Sequence, residues 1–148
     1  MLISVSYFFT FGCLNLLIQT IRDLKNNMNV DTRPSFIMMG IAISLVSHIR
    51  RPVTYMIALI IFMITFYYFL KRLKVFGEAD NITLNWIILG LGIFGAYILI
   101  FFLAFFIILT VLYWILRRLI FKENIAVPFF PVIFLTFVSH GVLLKYWA

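Results

Sequence analysis

Apolar residues run through this chain in blocks too long and too frequent for a water-soluble core, and no other feature restricts its fold as much. Six such segments can be drawn. They are Leu2 to Ile21, Ser35 to His48, Pro52 to Leu70, two within Ile82 to Leu116, and Pro128 to Tyr146. About 20 residues suffice to cross a bilayer, so the run from Ile82 to Leu116 is too long for one crossing. It divides near Gly90, Gly92 and Gly95. Within lipid the backbone must satisfy its own hydrogen bonds, which predicts helices for all six segments. With 65% hydrophobic and 11% charged residues, a soluble 148-residue domain has no means of hiding its apolar side chains. The expected fold is all-α, a polytopic integral membrane protein of about six transmembrane helices. Residues 1–148 then form a single domain in the lipid bilayer. The first segment lacks a basic leader and a small-residue cleavage site, so it reads as a retained span.

Charge placement orients these spans. The net charge of +7 does not point to nucleic acid, because Lys and Arg collect in the cytoplasmic loops of membrane proteins. With the N-terminus outside and six crossings, Arg22, Lys25, Arg33, Lys71, Arg72, Lys74, Arg117, Arg118 and Lys122 fall inside. Only Arg50, Arg51 and Lys145 fall outside. If the short second segment lay flat instead, the basic residues would divide evenly. The pattern therefore predicts six crossings in a cytoplasmic (plasma) membrane, multi-pass.

Under that topology Asp23 and Asp80 share the cytoplasmic face. The chain has only five carboxylates, Asp23, Asp31, Glu78, Asp80 and Glu123, and acids at a membrane are costly and usually functional. Each aspartate also has an ordinary reading. Asp23 lies between Arg22 and Lys25, as an interfacial acid in a salt bridge would. Asp80 precedes a helical run and is placed to cap free amides. Gly77 and Ala79 are small, which lets a neighbouring helix or an extended peptide approach closely. Glu78, a third carboxylate beside Asp80, would oppose its ionisation. Pro128 suits a first helical turn, and Pro131 three residues later loosens that turn's hydrogen bonding.

These elements, in this order, resemble the type IV prepilin and preflagellin (prearchaellin) peptidase family. Its members are membrane aspartic peptidases with a Gly-x-Gly-Asp or Gly-x-Ala-Asp motif. Asp23-Leu24-Lys25 is similar to the start of the family's first aspartate motif, and Val30-Asp31-Thr32-Arg33 to an archaeal form of its end. Gly77-Glu78-Ala79-Asp80 corresponds to the second motif, and Pro128 to Pro131 to a late Pro-Phe-x-Pro stretch. The likeness covers nearly the whole chain. The spacer Asn26 to Asn29 and the glutamate at 78 depart from the family pattern. The resemblance implies an endopeptidase with Asp23 and Asp80 as its catalytic pair. Gly77, Glu78, Ala79, Pro128 and Pro131 would shape the site. It implies pilin-like or archaellin-like precursors as substrates, cut behind a short basic leader at the cytoplasmic face. No metal and no cofactor is expected. The cysteine-rich insert of bifunctional relatives is missing, so no methyltransferase activity is expected either. Presenilin-like proteases share the glycine–aspartate motif, but their Tyr-Asp and Pro-Ala-Leu strings do not occur here.

Two other classes compete. A catalytically degenerate relative would bind pilin-like helices as a membrane assembly subunit. A small transporter would use the acids as a proton relay and would need polar groups through the mid-membrane, where the sequence offers mainly Asn15, Gln19 and Thr110. His48 and His140 are too far apart to be read as one metal site. Cys13 is a lone cysteine, which excludes an internal disulfide. The Asn81-Ile82-Thr83 sequon faces the cytoplasm in this topology and reads as chance.

Overall fold

The computed structural model describes residues 2–25, 32–73, 77–121 and 130–147. They form six helices: α1 (Leu2–Lys25), α2 (Arg33–His48), α3 (Val53–Leu73), α4 (Glu78–Phe94), α5 (Ala96–Phe121) and α6 (Phe130–Trp147). The helices follow the six apolar segments. The long run beginning at Ile82 breaks at Gly95, whose extended backbone separates α4 from α5. Gly90 and Gly92 lie inside α4, where they serve packing rather than the break. Val53–Leu73 and Ala96–Ile120 are long and apolar enough to cross a membrane, and Phe130–Val142 is a shorter apolar helix.

Helix α4 is the axis of the bundle. From Trp86 to Phe94 it is apolar on every side, and such a stretch is stable only when neighbours surround it. Every residue from Ala79 to Phe94 is buried. Helices α2, α3 and α5 pack directly on α4, while α1 and α6 pack on each other and close the circle through α2 and α5. Two polar side chains within α4 bond to their own helix: Thr83 Oγ1 donates to the Ala79 carbonyl at 2.7 Å and Asn85 Nδ2 to the Asn81 carbonyl at 2.8 Å.

Successive helices run antiparallel, as particular contacts show. Phe8, near the start of α1, lies against Phe94 at the end of α4, with ring centroids 5.6 Å apart. Phe9 stacks on Phe137 and faces Gly141, late in α6. At the end of α4 the last carbonyls are capped from the α2–α3 side. Arg51 Nε donates to Ile93 O at 2.8 Å, its Nη2 to Phe94 O, and Tyr55 Oη to Gly92 O. A cation at a helix C-terminus also suits the dipole. Arg51, placed by the sequence among three cations outside, thus has a definite structural task.

The aromatic core sets how closely α1, α4 and α6 approach. Phe8 meets Trp86 and Phe137 edge-to-face at 5.7 Å and 6.0 Å. Such pairs contribute about 0.5–1.5 kcal/mol each beyond area burial. The ring of Phe8 fills the space where a Cβ on Gly90 would stand. Because Trp86, Phe94 and Phe137 wedge that ring, it has nowhere to turn. Gly90→Ala is therefore expected to cost about 1–3 kcal/mol by overpacking. Thermal unfolding in detergent checks this. Pairing it with Phe8→Leu should recover part of the loss, and strict additivity of the two substitutions would refute the contact.

Candidate active site

The antiparallel order brings the end of α1 and the starts of α2, α4 and α6 to one end of the bundle. Asp23 sits in the last turn of α1 and Asp80 in the first turn of α4. Both lie beyond the apolar segments proper, yet both are buried, at 5% and 9% exposure. Their cationic neighbours Arg22 and Lys25 are exposed, so Asp23 turns inward, away from the flanking charges.

Each carboxyl is held by one backbone N–H. Asp80 is the third residue of α4, and its Oδ2 accepts the Gly77 N–H at 3.1 Å. That is the reciprocal half of a capping box, so the capping expected of Asp80 uses one of its two oxygens. The N–H of Phe130, first residue of α6, donates to the Asp23 carboxyl. The remaining oxygens, Asp23 Oδ2 and Asp80 Oδ1, are buried with no hydrogen-bond partner among the described residues. Thr20 Oγ1, one turn before Asp23, and Asn81 Oδ1, beside Asp80, are in the same condition.

Burial pushes the Asp80 pKa up to about 7; the Gly77 N–H opposes this, and the nearby Asp23 charge adds to it. Burial also raises Asp23, against the Phe130 N–H. Desolvation disfavours the charged form, and a like charge disfavours it further. The pair is thus arranged to keep a proton near neutral pH. Sequence order alone assigns the opposing charge to Glu78. Glu78 is exposed, and the carboxyl acting on Asp80 is Asp23.

The other site residues named from the sequence fall as follows. Gly77 is exposed, with Asp80 Oδ2 as the only described heavy atom within 4 Å of a Cβ built there, so no described neighbouring helix packs on it. Ala79 is buried beside Asp80. Pro131 is the second residue of α6 and half-buried. Pro128, Asp31, Glu123 and the spacer Asn26 to Asn29 lie outside the described residues. His48 is exposed and bonded to Ser44 and Ser47, whereas His140 is buried against Phe102. Asn81 of the sequon is buried, with no room for a glycan.

Sequence reasoning missed a polar chain just below the carboxyls. Gln19 Nε2 donates to Ser35 Oγ at 3.0 Å, and Ser35 Oγ lies 2.8 Å from Thr83 Oγ1. Asn15 joins it, accepting from Gln19 Nε2 at 2.6 Å and donating to Pro34 O at 3.0 Å. The available signal was spacing. Gln19 precedes Asp23 by four residues and Thr83 follows Asp80 by three, so each shares a helix face with its aspartate. Comparison of the chain with protein-family models, with curated proteins and with solved structures finds no match.

Proposed function

We propose that this chain is a multi-pass membrane aspartic endopeptidase of the prepilin and preflagellin peptidase type, working at the cytoplasmic face. One observation carries the reading: two buried carboxyls from distant segments lie close enough for the charge of Asp23 to act on Asp80, each with one oxygen held by a backbone N–H and one left without a described partner. The membrane setting draws on the two long apolar helices and on their exposed Ile, Phe and Leu side chains. The exposed cations Arg22, Lys25, Arg33, Lys71, Arg72 and Arg118 close helix ends on the side of the bundle where Asp23 and Asp80 lie, as a cytoplasmic face would require.

The chemistry follows from a singly protonated pair. The ionised carboxylate takes a proton from a water as its oxygen attacks the scissile carbonyl carbon. The protonated carboxyl hydrogen-bonds the carbonyl oxygen and transfers its proton to it, giving a neutral gem-diol. In collapse, the carboxyl that gained the water proton gives it to the departing nitrogen, and the C–N bond breaks. A diol hydroxyl returns its proton to the other carboxylate. One peptide and one water become an acid and an amine, and the pair again holds one proton. The roles belong to the pair, since coupled groups titrate together. The exposed Gly77 leaves room for an extended chain to pass over Asp80. The substrate class, a pilin-like or archaellin-like precursor with a short basic leader, comes from the motif resemblance.

Purified protein in detergent, incubated with such precursors, tests this. Wild type and His48→Ala, altered at the opposite end of the bundle, should release the leader. Asp23→Asn and Asp80→Asn should each fail. Undiminished cleavage by either Asn variant would remove the catalytic pair and leave a binding or assembly role.

A further inference from the structure

The two aspartates sit on helices that are both packed against α2. Apolar packing alone is non-directional and resists poorly a slide of one helix past another. The hydrogen-bonded chain beneath the carboxyls supplies direction. Thr83 has a single hydroxyl proton, and it goes to the Ala79 carbonyl at 2.7 Å. Between the two hydroxyls, Ser35 is therefore the donor, and Ser35 in turn accepts from Gln19 Nε2. The order is fixed: α1 donates to α2, α2 to α4, and α4 to its own backbone. Gln19, Ser35 and Thr83 are all fully buried. With a rise of about 1.5 Å per residue, the chain crosses some 5 Å below the carboxyls. Ser35 is thus a hub between the helix that carries Asp23 and the helix that carries Asp80.

We infer that Gln19, Ser35 and Thr83 are positioning residues that set the separation of the Asp23 and Asp80 side chains. The inference rests on the peptidase reading for its catalytic consequence, but not for its geometric one. Two acids that share a water must stay within a narrow distance, and like charges drive them apart whenever the proton leaves. A chain of directional bonds one turn away holds the two helix faces in register against that repulsion. Simple satisfaction of buried polar groups is the alternative, and it predicts loss of stability without any change in the carboxyl separation.

Thr83→Val separates the two. Valine keeps the shape of threonine, and the Ser35 hydroxyl can turn to Gln19 Oε1, already 3.3 Å away, so the variant leaves no group unpaired and should fold. The expected result is a fall of about tenfold or more in kcat with KM unchanged, in line with the cost of sub-ångström to ångström misplacement. Thr83→Ser, which keeps the hydroxyl, should restore the rate. The second readout needs no activity. In a Cys13→Ser background, an Asp23→Cys, Asp80→Cys pair is bridged with a short bis-alkylating thiol reagent. Adding Thr83→Val should lower the yield of bridged product several-fold, and adding Thr83→Ser should not. An unchanged bridging yield in Thr83→Val overturns the inference whatever the activity does. A lowered yield with unchanged kcat overturns its catalytic part. If Asp23→Asn and Asp80→Asn leave cleavage intact, the peptidase reading fails by itself, and the bridging yield still decides the positioning.

Discussion

Asp80→Asn is expected to melt at a higher temperature than wild type above pH 7, while losing cleavage by about 10³-fold, within the range general acid–base groups supply. The two effects have opposite signs because the carboxyl is held where its charge is unwelcome. Its folded pKa is about 7, whereas an unfolded aspartate titrates near 3.9. Below about pH 3.9 both states are protonated and no penalty arises. Between these values the folded state keeps a proton that the unfolded state has released, so stability falls as pH rises. Above the folded pKa the full penalty remains. Asparagine removes it. Its side-chain oxygen can accept the Gly77 N–H that Asp80 Oδ2 now accepts, so the described hydrogen bond of this side chain is kept. The gain should thus grow from pH 4 to 7 and then level off, reaching on the order of 2 kcal/mol after allowance for local relaxation. For a chain of this length that is roughly 5 °C in Tm. Melting curves across pH in detergent check it. A variant less stable than wild type at pH 8 would mean that Asp80 is an ordinary cap.

The architecture was legible because hydrophobic segmentation is a strong signal, and the helix limits follow the segments closely. The break of the long run was harder to place. Three glycines stand within six residues, and which of them interrupts a helix depends on what surrounds it. Phe8 and Leu59 occupy the space beside Gly90 and Gly92, which turns those two into packing positions and leaves Gly95 as the break. Asp23 and Asp80 stood out because acids are scarce and the charge bias put both at one end. The neighbours of that pair did not stand out. Serine, threonine and glutamine in a helix usually satisfy themselves on the nearest backbone, and only the packing of α2 on both α1 and α4 reveals that Ser35 joins Gln19 to Thr83. Likewise Glu78 is only two residues from Asp80 along the chain, but the first turn of a helix directs the two side chains apart. Proximity in sequence was misleading there, and the nearby charge comes from Asp23.

Cleavage should show a bell-shaped pH profile whose alkaline limb lies near pH 7. Activity requires one proton on the pair. At high pH both carboxyls are ionised and no acid remains to polarise the carbonyl. The last proton is lost near the Asp80 value of about 7, so the rate should fall tenfold per pH unit above it. On the acid side both carboxyls are protonated and no base remains. Burial raises Asp23 as well, which places that limb above the ordinary aspartate value of about 3.9. The cause of the alkaline limb can be tested separately. Asp23→Asn removes the like charge but leaves the burial, and burial is the larger cause of the Asp80 shift. The Asp80 carboxyl, followed by ¹³C chemical shift in that variant, should titrate lower than in wild type but remain above the usual carboxylate range. A return all the way to that range would make repulsion the dominant cause, and the free oxygens would then belong to a hydrated surface pair. A wild-type alkaline limb near pH 4 would be still more damaging. It would mean that water reaches Asp80 freely, and the buried, proton-sharing pair on which the peptidase chemistry depends would not exist.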